Sequence, residues 1–394
     1  MKNFLRYFSL IVFSLFLTFF ILNKYERYLD DEINNFTINK ETVSAYALKE
    51  KDKGIVLLNK SLNNNDLIIL GSSELGADVP QNIRKFFPIN EFPYNTNSVG
   101  RAYAQSLVDS IRISSFDNIN KDNKIALIVS FQWFMGKDID KKGTQANLSE
   151  LQFYKFMNSD KVDIKEKKYL AERLTKLLKN SQEQNRTWLY SALYQSDSVI
   201  CEGILNIFKP YFFIREKFLV LKDKYDAYKI LKNNQNYSAE INKNDVNWQL
   251  EYLNAEKNGI EACTNNKFYV YDEYYTKYLS KDIEVLKGNS KNVELLKSKE
   301  YDDFEFLLEM FKKLNIRPYI ILMSTNGYYY DYIGIDKEKR YSVYDKLVEI
   351  INNYGFDYLD LRDKEYVPYF YKDVMHFGWK GWLYVDEQIT KYYK

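Results

Sequence analysis

The fold of this chain is indicated by the stretch Asn65-Asp-Leu-Ile-Ile-Leu70-Gly-Ser-Ser73-Glu-Leu75. Its apolar, β-branched part predicts a buried strand over residues 66–70. The small residues that follow predict a turn, and a serine in such a turn has its hydroxyl group pushed clear of the sheet. The following helix N-terminus would offer backbone N–H groups to an oxyanion. Ser73 is therefore a candidate nucleophile, although Gly-Ser-Ser after a strand is also an ordinary turn sequence.

The rest of the chain alternates strands and helices on either side of a long helical stretch. We predict strands at 66–70, 125–129, 318–323 and 356–361, and helices at 102–113, 300–314, 339–353 and 379–392. One strand per crossover predicts an α/β fold with a mostly parallel, three-layer sheet, whose functional loops lie at the carboxyl ends of the strands.

The stretch from about 144 to 297 has few Gly and Pro residues, and segments 164–180 and 211–232 have helical periodicity. It is predicted to be a large helical insertion. Two interpretations are open, a cap over the site and a separate helical domain with no role there.

His376 is the only histidine of the chain, and it lies in Asp373-Val-Met-His376 before the last predicted helix. In one class of serine hydrolase such an aspartate holds one ring nitrogen, and the other nitrogen takes a proton from the serine. A histidine beside an unrelated aspartate would give the same pattern. With Ser73 upstream, the order predicts a triad of Ser73, His376 and Asp373.

Two intermediate segments could complete an oxyanion hole. The segment 97–101 is expected to be a loop after the first strand, and Gly100 in it could donate its N–H group. Gln132 follows the strand at 125–129 and could donate a side-chain amide. The predicted oxyanion donors are the backbone of Ser73, Gly100 and Gln132. Taken alone, each segment could equally be an ordinary loop.

Residues 7–22 are an uncharged, strongly apolar run. The run can cross a hydrocarbon core of ~30 Å when Phe4 and Leu5 are included. The alternative is a cleaved signal peptide, but no small-x-small cleavage site follows. Lys2 and Arg6 precede the run without an acidic residue, so the positive-inside rule predicts a single-pass membrane protein with a cytoplasmic N-terminus. The predicted divisions are a tip and transmembrane anchor at 1–23, a polar stalk at 24–60 and an extracellular domain at 61–394.

The composition argues against several classes of protein. The 56 basic and 54 acidic residues give a net charge of +2, which provides no electrostatic basis for binding nucleic acid. One histidine and two cysteines argue against a structural zinc site, and no dinucleotide or Walker glycine pattern occurs. We expect neither a metal nor a cofactor. Cys201 and Cys263 could pair outside the cell or remain free.

The order Gly-Ser-Ser, Gly, strand-end polar residue and Asp-x-x-His resembles that of the SGNH (GDSL-type) hydrolases. Flanking segments make the chain more specifically similar to the DltD family: Gly-Ser-Ser-Glu-Leu (71–75), Phe-Pro-Tyr-Asn (92–95), Ser-Phe-Gln-Trp-Phe (130–134), Asn-Gly-Tyr-Tyr-Tyr-Asp-Tyr (326–332) and residues 373–386. The resemblance covers the N-terminal anchor and residues 66–134 and 298–390, and it is vague from about 140 to 297. Ser72 stands where the general motif has Asp, and Gln132 lies where its third block has Asn.

The resemblance implies a function in the D-alanylation of teichoic acids in Gram-positive bacteria. The implied partners are a DltB-type membrane acyltransferase, indirectly the D-alanyl carrier protein, and a lipoteichoic or teichoic acid acceptor. Outside the membrane there is no ATP pool, so the acyl group must arrive as an ester or thioester, which a serine triad can accept. The expected function is acyl transfer through Ser73. The alternatives are an extracellular esterase or thioesterase with the same triad, and a non-catalytic scaffold that binds teichoic acid or the membrane partner.

Overall fold

A parallel β-sheet forms the centre of the molecule. The computed structural model describes residues 2–234 and 245–394. In this part of the chain five strands pair in the order β2-β1-β3-β4-β5, and every pairing is parallel. The strands are β1 (Leu67–Leu70), β2 (Thr96–Val99), β3 (Ile125–Ser130), β4 (Tyr319–Met323) and β5 (Tyr358–Asp360). The predicted α/β fold with a mostly parallel sheet is confirmed.

Helices precede, connect and follow the strands. Before β1 lie α1 (Lys2–Asn35), α2 (Lys40–Val43), α3 (Lys49–Lys53) and α4 (Val56–Asn63), and between β1 and β3 lie α5 (Ile83–Phe86) and α6 (Ser106–Ile113). The long connection from β3 to β4 contains α7 (Lys141–Asn147), α8 (Glu150–Asn158), α9 (Ile164–Leu177), α10 (Asn185–Tyr194), α11 (Val199–Asn234), α12 (Trp248–Ala262), α13 (Asp272–Tyr274), α14 (Ile283–Leu286) and α15 (Glu300–Lys313). The last helices are α16 (Gly327–Ile333), α17 (Lys337–Tyr354) and α18 (Trp379–Tyr393).

Each face of the sheet has its own hydrophobic core. Along β1, Ile68 and Leu70 pack into one core, and Leu67 and Ile69 pack into the other. Helices α6, α15 and α17 contribute to the first core, and α5, α12 and α18 contribute to the second. Successive strand residues point to opposite faces, so a sheet covered on both faces needs strands that are apolar throughout. This explains why β1 and β3 are recognisable in the sequence.

Strand β2 is the element that the sequence analysis missed. A loop is predicted at 97–101, but the four residues of β2 pair along the whole of β1. Its sequence is Thr-Asn-Ser-Val, which has no apolar alternation although all four residues are buried. Backbone pairing with β1, rather than side-chain pattern, defines this strand. The helix predicted at 102–113 correspondingly begins later, at Ser106.

The helix predicted at 211–232 is longer in the structure. It extends over Val199–Asn234 and contains Pro210. A proline inside a helix removes one backbone hydrogen bond, so a sequence pattern suggests a helix start at that position. Residues 235–244 of the predicted insertion lie outside the described residues.

Helix α1 contains the predicted membrane anchor. Among the described helices it is the one that is long and apolar enough to cross a membrane, by length and composition. A signal sequence near an N-terminus meets the same criterion. Its apolar part is not buried within the protein.

Residues 24–60, predicted to be a polar stalk, are largely helical and pack against the rest of the domain. Leu29 and Ile33 in the second half of α1 contact a cluster that includes Ala227 of α11. Lys51 of α3 is fully buried and donates hydrogen bonds to the backbone oxygens of Val43 and Ser98. This segment is therefore part of the folded domain.

The two cysteines do not form a disulfide. Cys201 of α11 and Cys263 after α12 are both free thiols. Burial raises the pKa of the Cys263 thiol to about 12. The fold therefore does not depend on a covalent link between these helices.

Candidate active site

The predicted site residues follow the carboxyl ends of neighbouring strands. Ser73 begins a 3₁₀ turn (Ser73–Gly76) after β1, Gly100 directly follows β2, and Gln132 lies in a 3₁₀ turn (Phe131–Phe134) after β3. These three segments are adjacent because β1 lies between β2 and β3. In open parallel sheets of this strand order, the crevice at the ends of β1 and β3 is the usual place for a ligand.

Ser73, His376 and Asp373 form a continuous hydrogen-bonded chain. Nε2 of His376 lies 2.9 Å from Oγ of Ser73, and Nδ1 lies 2.8 Å from a carboxylate oxygen of Asp373. Both distances fall within the range of about 2.6–3.2 Å that proton transfer requires. Because the Nδ1–H group donates to Asp373, the Nε2 lone pair is directed at the serine hydroxyl group. The arrangement can take a proton from Ser73.

The other oxygen of Asp373 fixes the orientation of the carboxylate. It accepts the backbone N–H groups of Met375 and His376, both at 2.9 Å. The carboxylate thus holds both the backbone and the ring of His376.

A tight backbone turn presents Asp373 and His376 ahead of α18. The N–H group of Lys372 donates to the backbone oxygen of His376 at 2.9 Å, and Tyr371 and Phe377 form an isolated antiparallel bridge. Gly378 closes this turn, because a Cβ atom there would lie 2.6 Å from the carbonyl carbon of Tyr371. Close backbone packing therefore explains the glycine that follows His376-Phe377.

Glu74 supports the nucleophile turn from its buried side. One of its carboxylate oxygens accepts the N–H group of Ser72 at 2.5 Å. Burial raises the pKa of Glu74, and the hydrogen bond from Ser72 opposes that rise. The hydroxyl group of Ser72 donates to the backbone oxygen of Arg101 at 3.2 Å. The two hydrogen bonds of Ser72 thus connect the turn that carries Ser73 to the Glu74 carboxylate and to the segment after β2.

Gly100 permits the close approach of that segment to the nucleophile turn. Its φ is +156°, and a Cβ atom built on it would lie 1.9 Å from the carbonyl oxygen of Gly71. The obstacle is backbone at the end of β1, which cannot move aside as a flexible side chain could. A glycine is therefore required where β2 leaves the sheet beside Ser73.

We expect the substitution Gly100→Ala to destabilise the fold and to disrupt the end of β1. The strained backbone alone costs about 1–3 kcal/mol, and the collision with Gly71 adds to it. Chemical denaturation of the detergent-solubilised full chain measures the loss. Gly203→Ala in α11 is the matched control, because a Cβ atom there meets nothing within 4 Å. Equal stability of the two variants would contradict this account of Gly100.

The surroundings of His376 favour its protonated form. Burial of the ring opposes protonation, but the hydrogen bond to Asp373 and the charge of that carboxylate outweigh it. The pKa of His376 therefore lies above its ordinary value of 6.5. The negative charge of Glu74 also raises this pKa, whereas the positive charge of Lys372 lowers it. The ring is a stronger base than a free imidazole.

The triad opens into a cleft of about 340 Å³. Three tyrosines from the predicted insertion line it, Tyr271, Tyr274 and Tyr278, and Tyr46 comes from the predicted stalk. The other lining side chains are those of Ser73, Ala77, Asp78, Glu273, Lys277, Lys372, Asp373 and His376. The insertion and the segment before β1 therefore both contribute to the site.

These cleft tyrosines were not predicted from the sequence, although a signal for them was present. Tyrosine occurs at 269, 271, 274, 275 and 278, within ten consecutive residues. In a chain with 36 tyrosines the local concentration is hard to separate from the general bias. Lys372 was also missed, although it directly precedes Asp373.

The three predicted oxyanion donors do not all line the cleft. Ser73 lines the cleft, whereas neither Gly100 nor Gln132 is among the residues that line it in the described part of the chain. Nε2 of Gln132 lies 3.4 Å from Oγ of Ser130. Both residues lie at the expected edge of the sheet, and their function as donors stays a prediction.

Comparison with known proteins agrees with the resemblance found in the sequence. The profile of the DltD protein family matches residues 45–394, a region that includes the whole cleft. The chain belongs to the DltD family. Protein DltD of Bacillus subtilis (strain 168) is 30% identical over 343 residues, which cover 87% of this chain and 86% of that protein.

Two further relatives have the same name. Protein DltD of Staphylococcus aureus (strain NCTC 8325 / PS 47) is 28% identical over 367 residues, which cover 91% of this chain and 89% of that protein. Protein DltD of Lacticaseibacillus rhamnosus is 25% identical over 361 residues, which cover 87% of this chain and 81% of that protein. Membership of the DltD family assigns the chain a role in teichoic acid D-alanylation.

Proposed function

We propose that this chain is a membrane-anchored, extracellular serine acyltransferase that transfers D-alanyl groups to lipoteichoic or teichoic acid. The observation that carries the proposal is the 2.9 Å contact between Nε2 of His376 and Oγ of Ser73, with Asp373 on the other ring nitrogen. Family membership supports the pathway, and the geometry of these three side chains supports the chemistry.

The first half-reaction forms an acyl-serine. Oγ of Ser73 attacks the carbonyl carbon of a D-alanyl ester or thioester while Nε2 of His376 takes the hydroxyl proton. Asp373 stabilises the resulting imidazolium ion through its hydrogen bond to Nδ1. When the tetrahedral intermediate collapses, the donor alcohol or thiol leaves with the proton from His376. Ser73 then carries the D-alanyl group as an ester.

The second half-reaction passes the group to the acceptor. A hydroxyl group of the teichoic acid polyol gives its proton to Nε2 of His376 and attacks the acyl-serine carbonyl carbon. Collapse breaks the ester bond to Ser73, and its Oγ recovers the proton from His376. Transfer and hydrolysis differ only in whether an alcohol or water attacks in this step.

The lining of the cleft suits a polyol phosphate acceptor. Lys277 and Lys372 line it, alongside the carboxylates of Asp78 and Glu273, and their ammonium groups can pair with phosphodiester groups. Tyr271, Tyr274 and Tyr278 present aromatic faces and hydroxyl groups, which suit a polyol chain. A bound acceptor would displace water from the neighbourhood of Ser73 and favour transfer over hydrolysis.

The proposed donor route follows from the anchor. With α1 spanning the membrane and its N-terminus in the cytoplasm, the cleft is extracellular, where no ATP can activate an acyl group. A DltB-type membrane acyltransferase, charged by the D-alanyl carrier protein inside the cell, would deliver D-alanine in activated form. No cofactor is needed for an exchange between esters.

The D-alanine ester content of the cell envelope tests the proposed function. Deletion of the gene is expected to abolish these esters, and the wild-type chain supplied on a plasmid is expected to restore them. If the deletion strain keeps its esters, the proposed pathway is wrong. If the purified chain readily hydrolyses model acyl esters and the deletion has no effect on envelope esters, an extracellular esterase replaces the transferase.

The rate of serine acylation is expected to rise with pH through the pKa of His376. Only the neutral ring can accept the proton of Ser73, so protonation below that pKa removes the base. Because the pKa is raised, the midpoint should lie above 6.5. The rate at which a fluorophosphonate probe labels the full chain, measured from about pH 5 to pH 8, reports this midpoint. A rate independent of pH in this range would argue against His376 as the base.

A further inference from the structure

Three carboxylates line the cleft, and two of them are paired with a basic side chain. The carboxylate of Asp373 is bonded to His376, and that of Asp78 contacts Nζ of Lys85 at 2.5 Å. The third carboxylate is that of Glu273, and it forms no ion pair with any side chain in the part of the chain that the structure describes. Glu273 therefore presents a negative charge to the cleft that no protein cation contacts.

The two lysines of the cleft have other partners. Nζ of Lys372 donates to the backbone oxygen of Asp78 at 3.1 Å and lies 5.3 Å from the ring centre of Tyr271. Nζ of Lys277 lies 5.0 Å from the ring centre of Tyr278. Neither ammonium group is in ion-pair contact with the third carboxylate, so this carboxylate remains available to a cationic group of a bound substrate.

The backbone on the N-terminal side of Glu273 is attached to the turn that carries the triad. The N–H group of Tyr271 donates at 2.8 Å to the backbone oxygen of Lys372, the residue before Asp373. The hydroxyl group of Tyr271 donates to the carboxylate of Glu273 at 2.9 Å. On the other side of Glu273, burial and the nearby charge of Asp373 raise the pKa of Tyr274. Glu273 therefore lies between two tyrosines that are both close to the triad.

We propose that Glu273 binds the ammonium group of the D-alanyl group while the carbonyl carbon of that group reacts with Ser73. This inference rests on the proposed function, because the D-alanyl group supplies the positive charge. Only the α-carbon separates its ammonium nitrogen from its carbonyl carbon, so a cation enters the cleft whenever a D-alanyl group reaches Ser73. A carboxylate accepts hydrogen bonds from such a group. The rings of Tyr274 and Tyr278, with centres 5.2 Å apart, offer it aromatic faces as well.

Two thioester donors of the same shape test this role on the full chain. The D-alanyl and D-lactyl thioesters of N-acetylcysteamine differ in having an ammonium group or a hydroxyl group on the α-carbon. With either donor, Oγ of Ser73 forms the new ester bond, and the thiol leaves with the proton from His376. The kcat/KM for consumption of each donor is measured with the detergent-solubilised wild type and with Glu273→Gln. The two donors differ in intrinsic reactivity, but this difference is the same for every variant, so the ratio of their kcat/KM values reports recognition of the ammonium group.

We expect Glu273→Gln to lower the preference for the D-alanyl donor about tenfold, which is the lower end for a hydrogen bond to a charged group, because the Glu273 side chain is exposed to solvent. Labelling of Ser73 by an uncharged fluorophosphonate probe should be unchanged, which shows that the triad is intact. Asp78→Asn is the matched control, because its carboxylate lines the same cleft but is paired with Lys85. It should keep the preference of the wild type.

An unchanged preference in Glu273→Gln, with normal labelling of Ser73, would overturn the proposal. An equal loss of preference in Asp78→Asn would also overturn it, because the overall negative charge of the cleft would then select the D-alanyl group. If the wild type consumes neither donor although the probe labels Ser73, acyl transfer through Ser73 is itself wrong, and the inference about Glu273 fails with it.

Discussion

The substitution Ser73→Ala is expected to leave a deletion strain without envelope D-alanine esters, although the variant reaches the cell surface. Removing the nucleophile from a serine triad lowers the rate by about 10⁶-fold. The fold should not change, because Oγ of Ser73 faces the cleft and contacts His376. Ester content and surface expression are measured together with those of the wild type.

Ser72→Ala is the matched control for this experiment. Ser72 lies in the same turn, but its hydroxyl group is bonded to the backbone oxygen of Arg101 and not to His376. The Ser72→Ala variant should restore most of the envelope D-alanine esters. If Ser73→Ala restores them as well, the chain acts in the pathway without this chemistry, as a non-catalytic scaffold would.

The substitution Asp373→Asn is expected to lower the rate of Ser73 labelling by about 10⁴-fold, since the amide no longer holds the productive tautomer of His376. The hydrogen bond to Asp373 and its charge are what raise the pKa of His376 against the effect of burial. The pH midpoint of labelling should therefore move to lower pH as the rate falls. Fluorophosphonate labelling measures both quantities.

Asp78→Asn serves as the comparison for Asp373→Asn. Asp78 also lines the cleft, but its carboxylate pairs with Lys85. Its substitution should change neither the rate nor the midpoint appreciably. A midpoint that stays in place in Asp373→Asn would mean that the aspartate does not control the proton of His376.

Much of this fold could be predicted because its strands are buried on both faces. Residues 67–70, 125–129 and 319–323 are hydrophobic throughout, and such runs stand out in a polar chain. Strand β2 could not be predicted in this way, because Thr-Asn-Ser-Val acquires its structure from pairing with β1. The segment before β1 was misjudged for a related reason. Its composition is polar, but residues such as Lys51 are buried through contacts with backbone atoms distant in sequence.

The candidate triad could be predicted because its chemistry restricts the residue types. A single histidine with an aspartate three positions before it left few alternatives for a base. The cleft around the triad could not be predicted from the sequence, since its tyrosines come from separate parts of the chain. Tyr46 and Tyr274 lie more than 200 positions apart in the sequence, and only the packing of the insertion brings them to Ser73.

Peptide mapping of an acid-quenched D-alanylation reaction shows whether Ser73 carries the D-alanyl group during turnover. The full chain is reconstituted with its membrane partner and charged carrier protein, quenched during turnover, and digested. We expect a D-alanyl mass increment on the peptide that contains Ser73, and we expect this increment to be absent in the Ser73→Ala variant. Turnover with no increment on that peptide, or with the increment on another residue, would contradict it.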